Sequence, residues 1–210
     1  MPMYTLYWAP NSAALAPQIC LEEAGQPYEL VPVDLAVART ADYLKLNPGG
    51  KVPTLITDEQ QVVTESAAIC LFVADRYKQA SLMPASGDPA LGIALQWLIF
   101  LTNTLQPAML RFYYPERHTT DPASRQAIID SAMNDIATLW GRVDRHLGAH
   151  GPFFLGARFS IPDAFAFMLS NWQESCPGLA DRFPDVARCA GAVRARPSVQ
   201  GILSVNELAT

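Results

Sequence analysis

The pair Glu65-Ser66 follows directly on the run Gln61-Val62-Val63-Thr64 and opens an apolar stretch with helical spacing, Ala67, Ile69, Cys70, Val73 and Ala74. A helix that starts straight after a strand turns unpaired amides and the positive end of its dipole outward. Such a place either binds a carboxylate or is an ordinary helix cap worth about 1 kcal/mol. Ser160-Ile161-Pro162-Asp163 is a second helix start. It reads as a capping box with aspartate in the N3 place and proline in the first turn, where it does no harm. Metal and thiol chemistry have less to draw on. Cys20, Cys70, Cys176 and Cys189 form no C-x-x-C pair, and none stands at metal-ligand spacing from His118, His146 or His150. No metal site is predicted. Cys20 in QICLEE and Cys70 in AAICLF lie in apolar helical surroundings and read as reduced thiols filling a core.

The elements that must hold these residues change character along the chain. Residues 3–8, MYTLYW, read as a strand ended by Pro10. A helix then runs from about Ala14 to Ala24, limited by Pro17 at its start and Gly25 at its end. Ser12 falls in the turn just before it. Residues 28–35 read as a second strand, demoted to an edge by Pro32, and residues 41–46 as a short helix. Residues 52–57 and 61–64 pair as a hairpin across DEQQ, and the helix opened by Glu65-Ser66 runs to about Tyr77. The order is βαβ followed by ββα. Beyond the turn-rich stretch 79–89 only helices are predicted. Leu91, Ala94, Leu98, Leu101, Leu105 and Met109 step by threes and fours, as do Ile129, Met133, Ile136, Trp140, Val143 and Leu147. Pro107 is placed to kink the first of these helices. Shorter helices start at Pro162 and Pro184. The expected fold is α/β plus all-α, with a thioredoxin-like domain over residues 1–80, a linker over 81–89 and a helical domain over 90–210.

Composition removes several classes of function. In 210 residues, 50% hydrophobic and 17% charged, the chain is globular rather than disordered. Fifteen basic against twenty acidic residues give a net charge of -5. With no basic tract, a nucleic-acid partner is not expected. No apolar run approaches the roughly 20 residues of a membrane helix, and the first ten residues lack the charged head and apolar stretch of a signal peptide. A cytoplasmic protein with no membrane partner is expected.

Asn47-Pro48, Lys51-Val52-Pro53, Thr64-Glu65-Ser66-Ala67-Ala68-Ile69 and Ser160-x-x-Asp163, in this order across both halves, resemble the cytosolic glutathione transferase family. In Pro10 to Ile19, Gln96-Trp97-Leu98 with Phe100, and Leu169-Ser170-Asn171-Trp172, the chain is most similar to the bacterial beta class. The resemblance implies a glutathione S-transferase that activates the glutathione thiol for attack on a small apolar electrophile. Glutathione is then a co-substrate, and no prosthetic group is required. The resemblance further implies a cis Pro53 that turns the Val52 backbone toward the cysteinyl main chain of glutathione. Glu65 and Ser66 would hold its γ-glutamyl end and Lys51 its other carboxylate. A homodimer is implied, with Asn103 of the partner subunit reaching the glutathione. Trp97, Ile99, Phe100 and Leu110, off the main apolar stripe of their helix, give that dimer a physical reason. Phe112, Tyr113, Tyr114 and Trp172 would line an acceptor pocket or fill a core.

Two departures from the beta pattern bear on the chemistry. Ala13 stands where beta enzymes carry cysteine, so no mixed disulfide with glutathione can form there. Ser12 matches the activating serine of theta- and delta-like transferases and is the leading thiol-activating residue, with Tyr7 the runner-up and backbone amides a third route. Gln106-Pro107 replaces a histidine and a lysine on the acceptor side. Zeta-like isomerisation is disfavoured, because Ser12-Ala13-Ala14-Leu15-Ala16 lacks that class's cysteine and arginine. The alternative function is a non-catalytic glutathione-transferase-like binding or regulatory protein.

Overall fold

A computed structural model describes residues 3–208. The chain forms two units: one runs to Ser86 and resumes from Arg194, and the other spans Gly87–Val193. The first unit contains β1 (Tyr4–Trp8), α1 (Leu15–Glu23), β2 (Tyr28–Pro32), α2 (Ala41–Leu46), β3 (Thr54–Ile56), β4 (Val62–Thr64) and α3 (Ser66–Arg76). This is the βαβ-ββα order read from the sequence. The strands lie in the order β2-β1-β3-β4, with β1 and β2 parallel and the other pairs antiparallel. β2 is an edge strand, where the missing Pro32 N–H costs no ladder bond. Tyr4, Leu6 and Trp8 are buried, alternating with half-buried Thr5 and Tyr7, as the period of two requires. Leu6, Ile19, Cys20, Leu55, Ile69, Cys70 and Val73 are fully buried. Cys20 and Cys70 are free thiols in this core, and burial pushes the Cys70 thiol well up. Buried thiols of this kind are unreactive.

The second unit is helical. It contains α4 (Ala90–Phe100), α5 (Gln106–Tyr113), α6 (Arg125–His150), α7 (Ile161–Ser170), α8 (Leu179–Arg182) and most of α9 (Pro184–Arg194). α4 and α5 are joined not by a simple kink at Pro107 but by a widened π turn, Leu101–Leu105. Gln106 N–H donates to the Leu101 carbonyl, five residues back. The wider turn sits where the Pro107 ring would otherwise press on the preceding turn. By length and composition alone the stretch Ala90–Tyr113 could cross a membrane, but Ala94, Leu98, Leu101, Leu105 and Met109 are buried within the unit. In α6 Ile136, Trp140, Val143 and Leu147 are buried as their spacing predicts, while Ile129 and Met133 are half-buried.

α7 opens on the expected capping box, with both halves present. The Asp163 carboxylate accepts from the Ser160 N–H, the Ser160 hydroxyl and the Phe154 N–H, each at 2.8 Å. Asp163 is fully buried. Burial pushes its carboxyl up to about 6, opposed by these hydrogen bonds.

The tail departs from the expected extent of the helical domain, 90–210. From Arg194 it groups with the first unit, including α10 (Pro197–Gln200). The Arg196 guanidinium grips the Glu23 carboxylate through two contacts of 2.6 Å, and Asn206 Nδ2 donates to Gln18 Oε1 at 2.7 Å. Val199 and Leu203 are buried. Polar partners far apart in sequence decide this placement, and helical periodicity carries no sign of them.

Candidate functional site

Three turns of the first unit meet at one end of its sheet. Tyr7 pairs with Thr54, and Thr54 with Thr64. Val52 lies two residues before Thr54 and Ser66 two residues after Thr64, both just past the end of this pairing. The turn after β1, which carries Ser12 and Ala13, leaves from this same end, and the Ser66 hydroxyl donates to the Ala13 carbonyl at 2.7 Å. Ser12, Ala13, Val52, Pro53, Glu65 and Ser66 thus lie at this end of the sheet.

The start of α3 has no side chain capping it among the described residues. Its first amides face outward without an intrahelical partner, and the Ser66 hydroxyl is turned back onto Ala13 rather than onto the helix. Glu65 sits at φ 69° and ψ 118°. A non-glycine residue there is strained, and such strain persists where surrounding structure imposes it.

The turn before Val52 is held by groups whose roles the sequence did not reveal. The Lys51 carbonyl accepts from the Tyr43 hydroxyl at 2.5 Å and from Asn47 Nδ2 at 2.8 Å. Both side chains also reach the Thr54 hydroxyl at 3.0 Å, and Asn47 Oδ1 accepts from Gly49 N–H at 3.0 Å. Burial raises the Tyr43 phenol, against the lowering by Thr54 and Asn47, so it stays a neutral donor. Asn47-Pro48 was visible as a turn signal; Tyr43 had no signal beyond its helical position. With Lys51 O held inward, the Val52 N–H and carbonyl have no partner among the described residues. The Val52–Pro53 bond is cis, as the resemblance implies, and Gly151–Pro152 is also cis. The Lys51 side chain is exposed and makes no ion pair among the described residues.

Ser12 is 8% exposed. Its hydroxyl donates to the Ala9 carbonyl at 2.6 Å and accepts from the Ala14 N–H at 3.2 Å. The proton that would go to a thiolate is therefore engaged in the turn. The neighbouring Ala13 N–H has no partner among the described residues. The Tyr7 ring packs on the Tyr43 ring at 5.3 Å.

In the second unit the Phe112 and Tyr113 rings meet edge to face at 5.1 Å, and Tyr113 meets Trp172 at 6.2 Å. All three are half-buried. Burial raises the Tyr113 phenol, which stays neutral. Asn103 is exposed on the π turn, its Oδ1 accepting from the Thr102 hydroxyl at 3.1 Å. A groove of about 460 Å³ in this unit, lined by Ile93, Trp97, His146 and Phe154 among others, includes none of the predicted site residues. Among the described residues no group of three His, Cys, Asp or Glu side chains could hold a metal ion.

Comparison with known proteins identifies the family and the fold. Residues 13–76 match the family described as glutathione S-transferase, N-terminal domain. A glutathione S-transferase of Xanthomonas campestris, GST-4.5, is 32% identical over 170 residues, covering 80% of this chain and 81% of that protein. The crystal structure of a Sulfitobacter glutathione transferase homolog with bound glutathione superposes with a TM-score of 0.91 at 28% identity, covering 99% of this chain and 100% of the other. A bacterial beta class glutathione S-transferase of Sphingomonas chungbukensis superposes with a TM-score of 0.84 at 28% identity, covering 98% and 100%.

Proposed function

Because the chain belongs to the glutathione S-transferase family, we propose that its first unit binds glutathione at the end of the sheet where the three turns meet and activates the thiol for attack on small electrophiles. The protein is a glutathione transferase with glutathione as co-substrate. The observation that carries the site assignment is the uncapped start of α3 together with the unpaired Val52 backbone just past the same end of the β3–β4 pairing. The cysteinyl main chain of glutathione pairs with Val52 as an added strand beside cis Pro53. The γ-glutamyl carboxylate takes the Ser66 amide, and the Ser66 hydroxyl once it releases the Ala13 carbonyl; the ammonium takes Glu65, and Lys51 faces the glycyl carboxylate.

A free thiol of pKa about 8.5 is only a few per cent thiolate at neutral pH. A donor beside the start of a helix lowers that value. We assign this role to the Ser12–Ala13 turn. Ala13 N–H donates to the sulfur, and Ser12 shapes the turn through Ala9 and Ala14. This assignment rests on the engaged Ser12 proton and the free Ala13 amide. Direct donation by Ser12 would require it to release Ala9; Tyr7 is the remaining side-chain donor. Phe112, Tyr113 and Trp172 form the apolar acceptor surface.

The homodimer is supported by α4, where Ile93, Leu95 and Ile99 are exposed. A second copy covers this face, and Asn103 of the partner subunit contacts the glutathione. The protein acts in the cytoplasm. The test of the site is Glu65→Ala, expected to raise the glutathione dissociation constant about tenfold or more, the 1.5–3 kcal/mol scale of a lost charged hydrogen bond. Unchanged affinity overturns the site.

A further inference from the structure

The loop between β2 and α2 is wrapped around one guanidinium. Arg39 Nε donates to the Gly50 carbonyl at 2.9 Å, Nη1 to the carbonyls of Asp34 at 2.5 Å and of Val37, and Nη2 to that of Leu35 at 3.2 Å. Three of these acceptors belong to its own loop, whose Leu35 and Val37 side chains are exposed and contribute little packing. The fourth, Gly50, lies two residues before Val52. Gly50 has φ +60°, and a Cβ there would meet Arg39 Cγ at 3.3 Å and Leu44 Cδ2 at 3.4 Å. Side-chain stem and glycine therefore fit one another as well as being hydrogen-bonded. The next carbonyl, Lys51 O, is held by Tyr43 and Asn47. Two successive carbonyls of the turn are thus fixed from outside it, and the backbone that follows them is left free to pair.

We infer that Arg39 is a positioning residue for glutathione: it clamps the β2–α2 loop onto Gly50 and so sets the Lys51–Val52 backbone in the orientation that pairs with the tripeptide main chain. This rests on the proposed glutathione site. The planar fork of five N–H donors is what allows one side chain to serve four carbonyls; an ammonium cannot reproduce it. A preorganised backbone binds more tightly because less ordering is left to occur on binding. The contribution is to binding rather than to the chemical step, so it acts on the affinity for glutathione and not on turnover at saturation.

The test uses the intact protein with glutathione as the probe. Arg39→Met keeps the stem against Gly50 and removes the donors; Arg39→Lys keeps the charge and loses the fork. Titration calorimetry should give an increase of about tenfold in the glutathione dissociation constant for both variants, with turnover at saturating glutathione within about twofold. Amide hydrogen exchange in the unliganded protein should quicken at Gly49 and Gly50, whose N–H groups donate to Asn47, and stay unchanged at Leu6 and Leu55. Gly50→Ala, which forces the Arg39 stem aside, should reproduce the weakening and serves where Arg39→Met does not fold. Wild-type affinity in Arg39→Met overturns the inference, and so does full rescue by Arg39→Lys, which would make charge alone responsible. Glu65→Ala separates the two failures. If it binds glutathione at full strength, the proposed site itself is wrong. If it is weakened while Arg39→Met is not, only the clamp is refuted.

Discussion

Replacing Ser12 by alanine separates the two ways in which this turn could lower a thiol pKa. In the structure the hydroxyl joins Ala9 O and Ala14 N–H, and both of those residues are buried. Removing it leaves a buried donor and a buried acceptor unmatched, a cost of about 1–2 kcal/mol. For a chain of this size that lowers Tm by roughly 3–6 °C. The effect on bound glutathione differs between the two schemes. If the thiolate accepts from Ala13 N–H and Ser12 only shapes the turn, its pKa rises by less than about half a unit. If Ser12 swings off Ala9 and donates to the sulfur, a charged hydrogen bond of about 1.5–3 kcal/mol is lost and the pKa rises by about 1–2 units. The assay is the ultraviolet absorbance of the thiolate against pH in the saturated complex, with thermal unfolding of the same samples. A small pKa shift together with a clear loss of Tm is expected. A rise above one unit without loss of stability would refute the shaping role and return Ser12 to direct donation. A shift in Tyr7→Phe with none in Ser12→Ala would transfer the role to Tyr7.

Ala13→Cys restores a thiol to the turn and should yield a mixed disulfide, read as an added glutathione mass; replacing all four native cysteines should leave turnover intact, since Cys20 and Cys70 are buried in the core. Asp163, raised to about 6 in the fold against about 3.9 unfolded, binds its proton more tightly when native. Its contribution to stability is therefore full below pH about 4 and falls as pH rises to about 6, by up to roughly 3 kcal/mol, then stays level. Asp163→Ala should abolish that slope and cost about 3–5 kcal/mol by stranding three buried donors, measured by urea unfolding across pH. Ile99→Glu should convert a species of about twice the chain mass to monomer in sedimentation and weaken glutathione binding with it; a wild-type monomer with full affinity refutes both the dimer and the role of Asn103.

The parts of the fold set by local pattern were legible. Alternation in MYTLYW, Pro32 at an edge, Gly25 after a helix and the S-x-x-D box each act over a few residues, and each has its predicted counterpart in the structure. Features set by distant partners were not. Arg196 meets Glu23 across 173 positions and Asn206 meets Gln18 across 188. Those contacts draw the tail to the first unit although its residues look like any other helical terminus. Pro107 was visible as a disturbance, but whether a helix answers with a bend or a π turn depends on what the turn packs against. Here Leu101 and Leu105 are wholly buried, and the widened turn keeps both in the core.

The proposed site was legible to a different degree, because most of the chemistry assigned to it belongs to the main chain. Glu65-Ser66 could be found from composition, since the position of a helix start after a strand is a local property. The free Val52 backbone could not, since it exists only because Lys51 O is held by Tyr43 and Asn47 and Gly50 O by Arg39. None of those three side chains reaches for a ligand; each removes a carbonyl from competition. The same logic governs the first turn, where Ser12 satisfies Ala9 O and Ala14 N–H and leaves the Ala13 amide between them unpaired. A reading that looks for reactive side chains selects Ser12 for its hydroxyl; in the structure that hydroxyl is bonded to Ala9 O and Ala14 N–H, which is why we propose a shaping role for it. Substituting such residues should therefore change how tightly glutathione is held before it changes how fast bound thiolate reacts, and that order of effects distinguishes a backbone-built site from one built of catalytic side chains.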